Sequence, residues 1–264
     1  MFSTTANFSG ETVALITGAA SGIGAATVHA LHGAGVRKLV LVDRQRESLE
    51  NLANDLSQTD VLCRVHDVAD DADWRATAAS VRQHFGRLDC VVANAGIADS
   101  GAIVDMELQA WRRVLSVNLD GVFLTLRHSL PVMRSGARGG AIVIVSSVSA
   151  IKAEAGVAAY GASKAAVIQL ARVAAKEHAA DGIRVNVVLP GGVATQIWKG
   201  VPFFQDLVKQ LGSEEAAIAA MGAEMPLKRY AHAEEIAGHI VYLLSDTSGP
   251  MTGASVVVDS GYSL

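Results

Sequence analysis

Seven short runs of aliphatic and β-branched residues, separated by stretches long enough for helices, restrict what this chain can fold into more than any other feature. The runs are Thr12–Thr17, Lys38–Asp43, Val61–His66, Asp89–Ala93, Ala141–Val145, Ile183–Leu189 and Ser255–Asp259. Most are nearly continuously apolar rather than alternating, the pattern of parallel strands covered on both faces. Helices are expected at about residues 22–34, 45–57, 71–86, 107–135, 160–181 and 233–246. Strand, helix, strand, repeated, predicts a doubly wound α/β fold: a seven-stranded parallel sheet with helices on both faces. Ligands of such sheets bind beyond the carboxyl ends of the strands, so function is sought in the residues that follow each run.

Of the 264 residues, 50% are hydrophobic and 18% charged, which excludes a disordered or coiled-coil chain. One α/β domain spanning 1–264 can bury roughly three quarters of the surface its unfolded chain exposes, so no disulfide or metal staple is needed and no metal site is expected. The net charge of -4 argues against a nucleic-acid surface. Cys63 and Cys90 are too few for a secreted disulfide framework and favour a reducing compartment. The first residues, MFSTTANFSGE, carry no basic segment followed by an apolar core, and no apolar run reaches roughly 18 residues. A soluble, cytoplasmic protein with no membrane partner is expected. One stretch, 196–225, departs from the alternation; Trp198, Phe203 and Phe204 fall in its first nine residues, and it is expected to be a mobile substrate lid.

The first run leads straight into a glycine turn containing Gly18, Ser21, Gly22, Ile23 and Gly24. Such a turn between strand and helix lets the backbone approach a pyrophosphate, while the helix N-terminus offers free N–H groups to the anion. The spacing G-x-x-x-G-x-G differs from the general dinucleotide fingerprint, and its place between strand and helix carries the reading. The second run ends at Asp43, whose carboxylate would accept hydrogen bonds from both ribose hydroxyls of an adenosine and repel a 2′-phosphate. This points to NAD over NADP, although Arg44 next to it offers a phosphate a partner. A helix N-cap is the structural alternative for Asp43. Asp67, beside Val68, stands where it would bond the adenine amino group or simply close a turn. Asn94, Ala95 and Gly96 end the fourth run, where small residues let the chain pass close to the ribose.

Tyr160 and Lys164 carry the strongest chemical signal. Four residues apart on a helix, their side chains lie on one face. An ammonium a few ångströms away favours the phenolate of a phenol whose unperturbed pKa is ~10, which prepares the pair for proton exchange. Lysine also has donors to spare for ribose hydroxyls. Ser147 and its neighbour Ser146 follow the fifth run; a hydroxyl there would face the tyrosine and hold a substrate carbonyl.

With these residues the chain resembles the short-chain dehydrogenase/reductase family along essentially its whole length. The glycine turn, Asp67, Asn94-Ala-Gly96, Asn118, Ser147, Tyr160-x-x-x-Lys164 and Pro190-Gly-Gly-Val-Ala-Thr195 fall in that family's order and spacing. The resemblance implies a Rossmann-like fold and a tetrad of Asn118, Ser147, Tyr160 and Lys164. In it Tyr160 would be the general acid/base, and Lys164 would lower its pKa and bind ribose. Ser147 rather than Ser146 would polarise the substrate oxygen, and Asn118 would hold a water in a proton relay. Pro190, Gly191, Val193 and Thr195 would hold the nicotinamide carboxamide. Ala150 stands where many members carry glycine.

No cationic clamp for a carboxylate or an acyl-carrier phosphate is visible near this centre. Ile97, Ala98, Val148, Ile151, Val157 and Gly192 are small or apolar, and with Ser149, Met225 and the aromatic residues Trp198, Phe203 and Phe204 they suggest a pocket for an apolar, cyclic or aromatic secondary alcohol, or a diol, or its ketone. Glu154 is the exception: it would orient a second hydroxyl or an amine, or lie in an exposed turn. A 3-oxoacyl-carrier-protein reductase and a non-catalytic dinucleotide sensor are the rival readings. The stretch 160–181 is apolar nearly all round and must be covered on more than its sheet side, which a subunit interface would do; the resemblance suggests a homotetramer.

Overall fold

A computed structural model describes residues 8–264; the reading of the first residues as lacking a leader rests on residues 1–7, which lie outside the described residues. The chain runs β1 (Val13–Thr17), α1 (Gly22–Gly33), β2 (Lys38–Asp43), α2 (Arg46–Asn54), β3 (Asp60–Val65), α3 (Asp71–Phe85), β4 (Cys90–Ala93), α4 (Leu108–Leu115) and α5 (Gly121–Ser135). It continues with β5 (Gly140–Val145), α6 (Ala158–His178), β6 (Ile183–Pro190), α7 (Pro202–Leu211), α8 (Glu214–Ala223), α9 (Ala233–Leu244) and β7 (Ser255–Val258). The strands form one parallel sheet in the order β3-β2-β1-β4-β5-β6-β7, as the apolar runs predict. The order reverses direction at β1, whose two neighbours are β2 and β4.

Alternate residues of each strand point to opposite faces, so one strand feeds two cores. Leu15, Val42 and Ile144 pack with Trp74, Met133 and Val167 on the face covered by α3, α5 and α6. Ile16, Leu41 and Val143 pack with Leu31, Ile236 and Ile240 beneath α1 and α9. This double burial explains the continuous apolar runs. Local signals set the helix ends: Asp70 accepts from the backbone N–H of Ala72 and Asp73 to start α3, and Gly86, with φ 69°, stops it.

Two expected elements differ. The single helix expected over 107–135 is α4 and α5 joined by one π-helical turn, Ser116–Asp120. The extra residue in that turn places Asn118 fully inside the protein. The stretch 196–225 is a 3₁₀ turn followed by α7 and α8, and Val201, Phe204 and Ala217 give it a small core of its own. No described helix is long and apolar enough to cross a membrane.

Arg184, on β6, gathers the connection from α9 to β7. Its guanidinium donates to the carbonyls of Leu243, Leu244, Ser245, Ser248 and Met251 and to the Ser248 hydroxyl. Burial pulls its pKa below the usual guanidinium value. Replacing Arg184 by Met leaves these acceptors unpaired and is expected to cost about 3 kcal/mol in urea unfolding. A loss near zero would show that water satisfies them.

Candidate active site

The carboxyl ends of β1, β2 and β4 enclose a groove of about 310 Å³. Gly18 (φ 63°) and Gly22 (φ 53°) adopt left-handed conformations that turn the chain into α1. A Cβ on Gly18 would lie 2.9 Å from Ala95 Cα, so glycine is needed there for packing as well. Gly24 does not border the groove. A Cβ on it would meet the Gly18 carbonyl oxygen at 2.0 Å, so its lack of a side chain serves the seating of α1 on the turn, not the approach of a cofactor. The turn is tied to β4: Thr17 Oγ1 accepts from the N–H of Asn94 (2.9 Å) and Ala95 (3.0 Å), and Asn94 Nδ2 donates to the carbonyls of Thr17 (3.0 Å) and Gly18 (3.2 Å).

Asp43 is buried at the end of β2 and borders the groove. Oδ2 accepts from Ala20 N–H and Oδ1 from Gln45 N–H, both at 3.0 Å. Asp43 is not the helix N-cap considered for it, since Gln45 takes that position without a side-chain cap; each carboxylate oxygen keeps a lone pair for a ligand. Asp67 Oδ1 closes a turn by accepting from Ala69 N–H at 2.9 Å, and its side chain also faces the groove. Ser21, Ile23, Arg44, Val68, Gly96 and Thr195 complete the predicted lining. His66, Gln45 and Val117 line it too and carry no motif that marks them in the sequence. A turn of exposed backbone at a helix N-terminus beside a carboxylate fits the pyrophosphate and ribose of a dinucleotide.

A second cavity, of about 350 Å³, adjoins the groove and shares Ile23, Asn94, Gly96, Thr195 and Ile197 with it. Ser147, Tyr160 and Lys164 lie on its wall, as do Pro190, Gly191 and Val193. The neighbouring serines separate cleanly. Ser146 Oγ donates to the Lys164 carbonyl at 2.7 Å, whereas the Ser147 hydroxyl donates to Ser149 Oγ at 3.3 Å, accepts from Ser149 N–H at 3.2 Å and shares the cavity wall with Tyr160. Lys164 is almost fully buried; its Nζ lies 5.7 Å from the Tyr160 ring centre and donates to the Val145 carbonyl at 2.9 Å. Burial draws the ammonium down to about 8. Burial also raises the Tyr160 phenol, and the nearby Ser147 hydroxyl offsets part of that rise. The expected lowering of the phenol by its lysine is therefore not what governs the chain alone; loss of water governs both groups.

Asn118 is held from three sides. Oδ1 accepts from Ile97 N–H (2.8 Å), and Nδ2 donates to the Ile97 carbonyl (2.9 Å) and to Ser163 Oγ (3.1 Å). Both amide hydrogens are committed within the protein, so the side chain has only a spare Oδ1 lone pair to offer a water. Ile97, expected on the substrate side, instead borders the dinucleotide groove. Phe204, also expected there, is 3% exposed within the small core of the 196–225 stretch. The other predicted residues, Ser149, Val157, Gly192, Trp198, Phe203 and Met225, line the second cavity.

Tyr230 and Tyr262 line it as well and escape sequence reasoning, because they arrive from elements far along the chain. Tyr230 stacks on Trp198, ring centres 5.7 Å apart, and a Cβ on Gly192 would strike its ring at 2.1 Å. Gly192 thus makes room for Tyr230. The Asp259 carboxylate accepts from Gly261 N–H (2.9 Å) and Ser263 N–H (2.7 Å), folding the last residues so that Tyr262 reaches the cavity.

Comparison with known proteins agrees with this geometry. The family model described as enoyl-(acyl carrier protein) reductase matches residues 18–263. The chain is 39% identical over 255 residues to cis-4-hydroxycyclohexanecarboxylate dehydrogenase of Sinomonas cyclohexanicum, a match covering 96% of each. It is 36% identical to the NADP-dependent (R)-specific alcohol dehydrogenase of Lentilactobacillus kefiri, covering 95% of this chain and 96% of that one. The crystal structure of levodione reductase superposes with a TM-score of 0.86 at 33% identity, covering 96% of this chain and 98% of that one. The chain belongs to the short-chain dehydrogenase/reductase family, oxidoreductases that bind a nicotinamide dinucleotide.

The lysine gives a pH signature. Its folded pKa, about 8, lies below the ordinary 10.5, so between those values the unfolded chain binds more protons and stability from this group rises with pH. Unfolding of the ligand-free wild type and of Lys164→Met from pH 7 to 10.5 is expected to show the wild type gaining relative to the variant above about pH 8. Parallel profiles would sink this account of the buried ammonium.

Proposed function

We propose that this protein is an NAD-preferring dehydrogenase/reductase that interconverts an apolar, cyclic or aromatic, secondary alcohol and its ketone. The observation that carries the reading is the join between the two cavities: a mainly apolar pocket walled by Val157, Trp198, Phe203 and Met225 also carries Ser147 and Tyr160 on its wall, next to the dinucleotide groove. A relative that is a cis-4-hydroxycyclohexanecarboxylate dehydrogenase supports the cyclic class.

On this reading Ser147 holds the substrate oxygen and Tyr160 exchanges a proton with it. Lys164 and the turn around Gly18 and Gly22 hold the dinucleotide, with Pro190, Gly191, Val193 and Thr195 at its carboxamide end. A bound oxidised dinucleotide would supply the hydride acceptor; Tyr160, as the phenolate, would take the hydroxyl proton of the alcohol as its carbon gives up the hydride, leaving the ketone. Asn118 fixes the backbone of Ile97 beside this centre. Asp43, with a free lone pair on each oxygen, supports NAD; Arg44 on the same groove is the group that a 2′-phosphate would meet. The lid formed by α7 and α8 covers the pocket and shields the reaction from water.

The apolar stripe of α6, where Ala162, Ala165 and Val173 are exposed, together with Phe123 on α5, supports a homotetramer. The free thiols of Cys63 and Cys90 suit a reducing, cytoplasmic setting.

Tyr160→Phe is expected to bind NADH as the wild type does and to lose about a thousandfold in turnover on a panel of cyclic alcohols. Unchanged turnover would remove Tyr160 from the chemistry; a wild type silent on the whole panel would remove the substrate class. Asp43→Ala is expected to reduce the NAD-over-NADP ratio of kcat/KM at least about tenfold, and an unchanged ratio would transfer that preference elsewhere.

A further inference from the structure

The substrate cavity is not apolar throughout. Its outer end carries Glu154, on the connection between Ser147 and Tyr160, together with Asp99, Ser100, Tyr230 and Tyr262. The two carboxylates differ in what neutralises them. Asp99 pairs with Arg113 at 2.8 Å. Glu154 forms no ion pair among the described residues; its Oε1 accepts a hydrogen bond from the Tyr262 hydroxyl, and Oε2 has no protein donor among them.

The nearby cation is turned away. Lys152 Nζ lies 3.8 Å from the centre of the Tyr262 ring and donates to the Tyr262 carbonyl, outside the cavity wall. Lys164 is the only cation on that wall among the described residues, and its ammonium is bound to the Val145 carbonyl. A substrate seated between Ser147 and the outer end therefore meets hydroxyls and an uncompensated carboxylate. The field of Glu154 is felt by both neighbouring phenols: burial first and then this carboxylate push Tyr230 up to about 12, and the same two causes raise Tyr262.

We propose that Glu154 is a specificity-determining residue that selects substrates bearing a hydrogen-bond donor, a hydroxyl or an ammonium, on the part of the ring away from the reacting carbon, and that rejects a carboxylate there. This rests on the reading of the cavity as a substrate site and goes beyond it by naming the second group. The free Oε2 accepts from such a donor, which regains the hydrogen bond it gave up on leaving water. Although Glu154 is exposed, a carboxylate in the same place faces a like charge with no cation on that wall, among the described residues, to offset it.

The test compares cyclohexanol, cyclohexane-1,4-diol, 4-aminocyclohexanol and 4-hydroxycyclohexanecarboxylate as substrates of the full chain with NAD, in the wild type, Glu154→Gln and Glu154→Ala. Ratios of kcat/KM to that of cyclohexanol separate the second group from the basal reaction. In the wild type the diol and the amino alcohol are expected at about tenfold or more over cyclohexanol, and the carboxylate below it. Glu154→Ala is expected to bring both donor ratios towards one. Glu154→Gln distinguishes the two donors: the amino alcohol loses its advantage with the charge, whereas the diol keeps most of its own. Ratios that are the same in the wild type and Glu154→Ala, or a wild type that prefers the carboxylate, would overturn the proposal.

Should none of the four be oxidised, calorimetric binding of the same compounds to the chain saturated with NADH decides separately. A preference for donors over the carboxylate that Glu154→Ala abolishes upholds the role of Glu154 while the proposed reaction falls. No such preference overturns the role itself.

Discussion

The knot that ties the end of β1 to the end of β4 is the constraint on which the rest of the site depends. β1 is where the sheet order reverses, so the connections on its two sides lead away from each other and a crevice opens at its carboxyl end. Such a crevice exposes backbone polar groups that would ordinarily be paired. Thr17 and Asn94 resolve this by bonding one another's backbone, which closes the floor of the groove while leaving the N-terminus of α1 free. Gly18 and Gly24 are the cost of that closeness, since a side chain on either would collide with the knot itself.

A second tie carries this order into the substrate cavity. The π turn between α4 and α5 adds one residue to the helical path and turns Asn118 inward, where its amide grips both backbone groups of Ile97 and the hydroxyl of Ser163 on α6. Ser163 in turn donates to the Tyr160 carbonyl. The strand end that borders the dinucleotide groove and the helix that carries Tyr160 and Lys164 are thereby fixed to the same side chain. Asn118 thus spends its amide hydrogens on holding two walls of the site together and keeps one Oδ1 lone pair.

Fold and groove were legible in the sequence to different depths for identifiable reasons. Strands buried on both faces must be apolar at every position, so β1, β2 and β5 stand out with no information from elsewhere in the chain. Gly18, Gly22 and Asp43 are readable because each serves a local need at a strand end. The π turn is invisible to periodicity: one inserted residue changes the phase of the apolar pattern too little to separate from an ordinary helix of that length. Tyr230 and Tyr262 are hidden for another reason, since only the folded sheet brings them beside Ser147. The aromatics of the 196–225 stretch are equivalent in the sequence, yet Phe203 is half exposed at the cavity while Phe204 is spent on that stretch's own small core.

The electrostatics of Tyr160 and Lys164 add a direction to the proposed chemistry. Burial pushes the phenol up and the ammonium down, so in the chain alone the lysine loses its proton before the tyrosine does. Throughout the range in which Lys164 titrates, Tyr160 keeps its proton and is a donor. That is the form required to protonate the oxygen of a ketone being reduced. Acting as a base on an alcohol requires the phenolate, and the desolvation that disfavours it can be offset only by added positive charge or added donors beside it. The nearby Ser147 hydroxyl acts in that sense. The oxidised nicotinamide ring is cationic and the reduced ring neutral, so the redox state of the bound dinucleotide biases the phenol in the sense each direction of the reaction needs. On the proposed reading, proton affinity at Tyr160 and the direction of hydride transfer are therefore coupled through the low dielectric of one buried site.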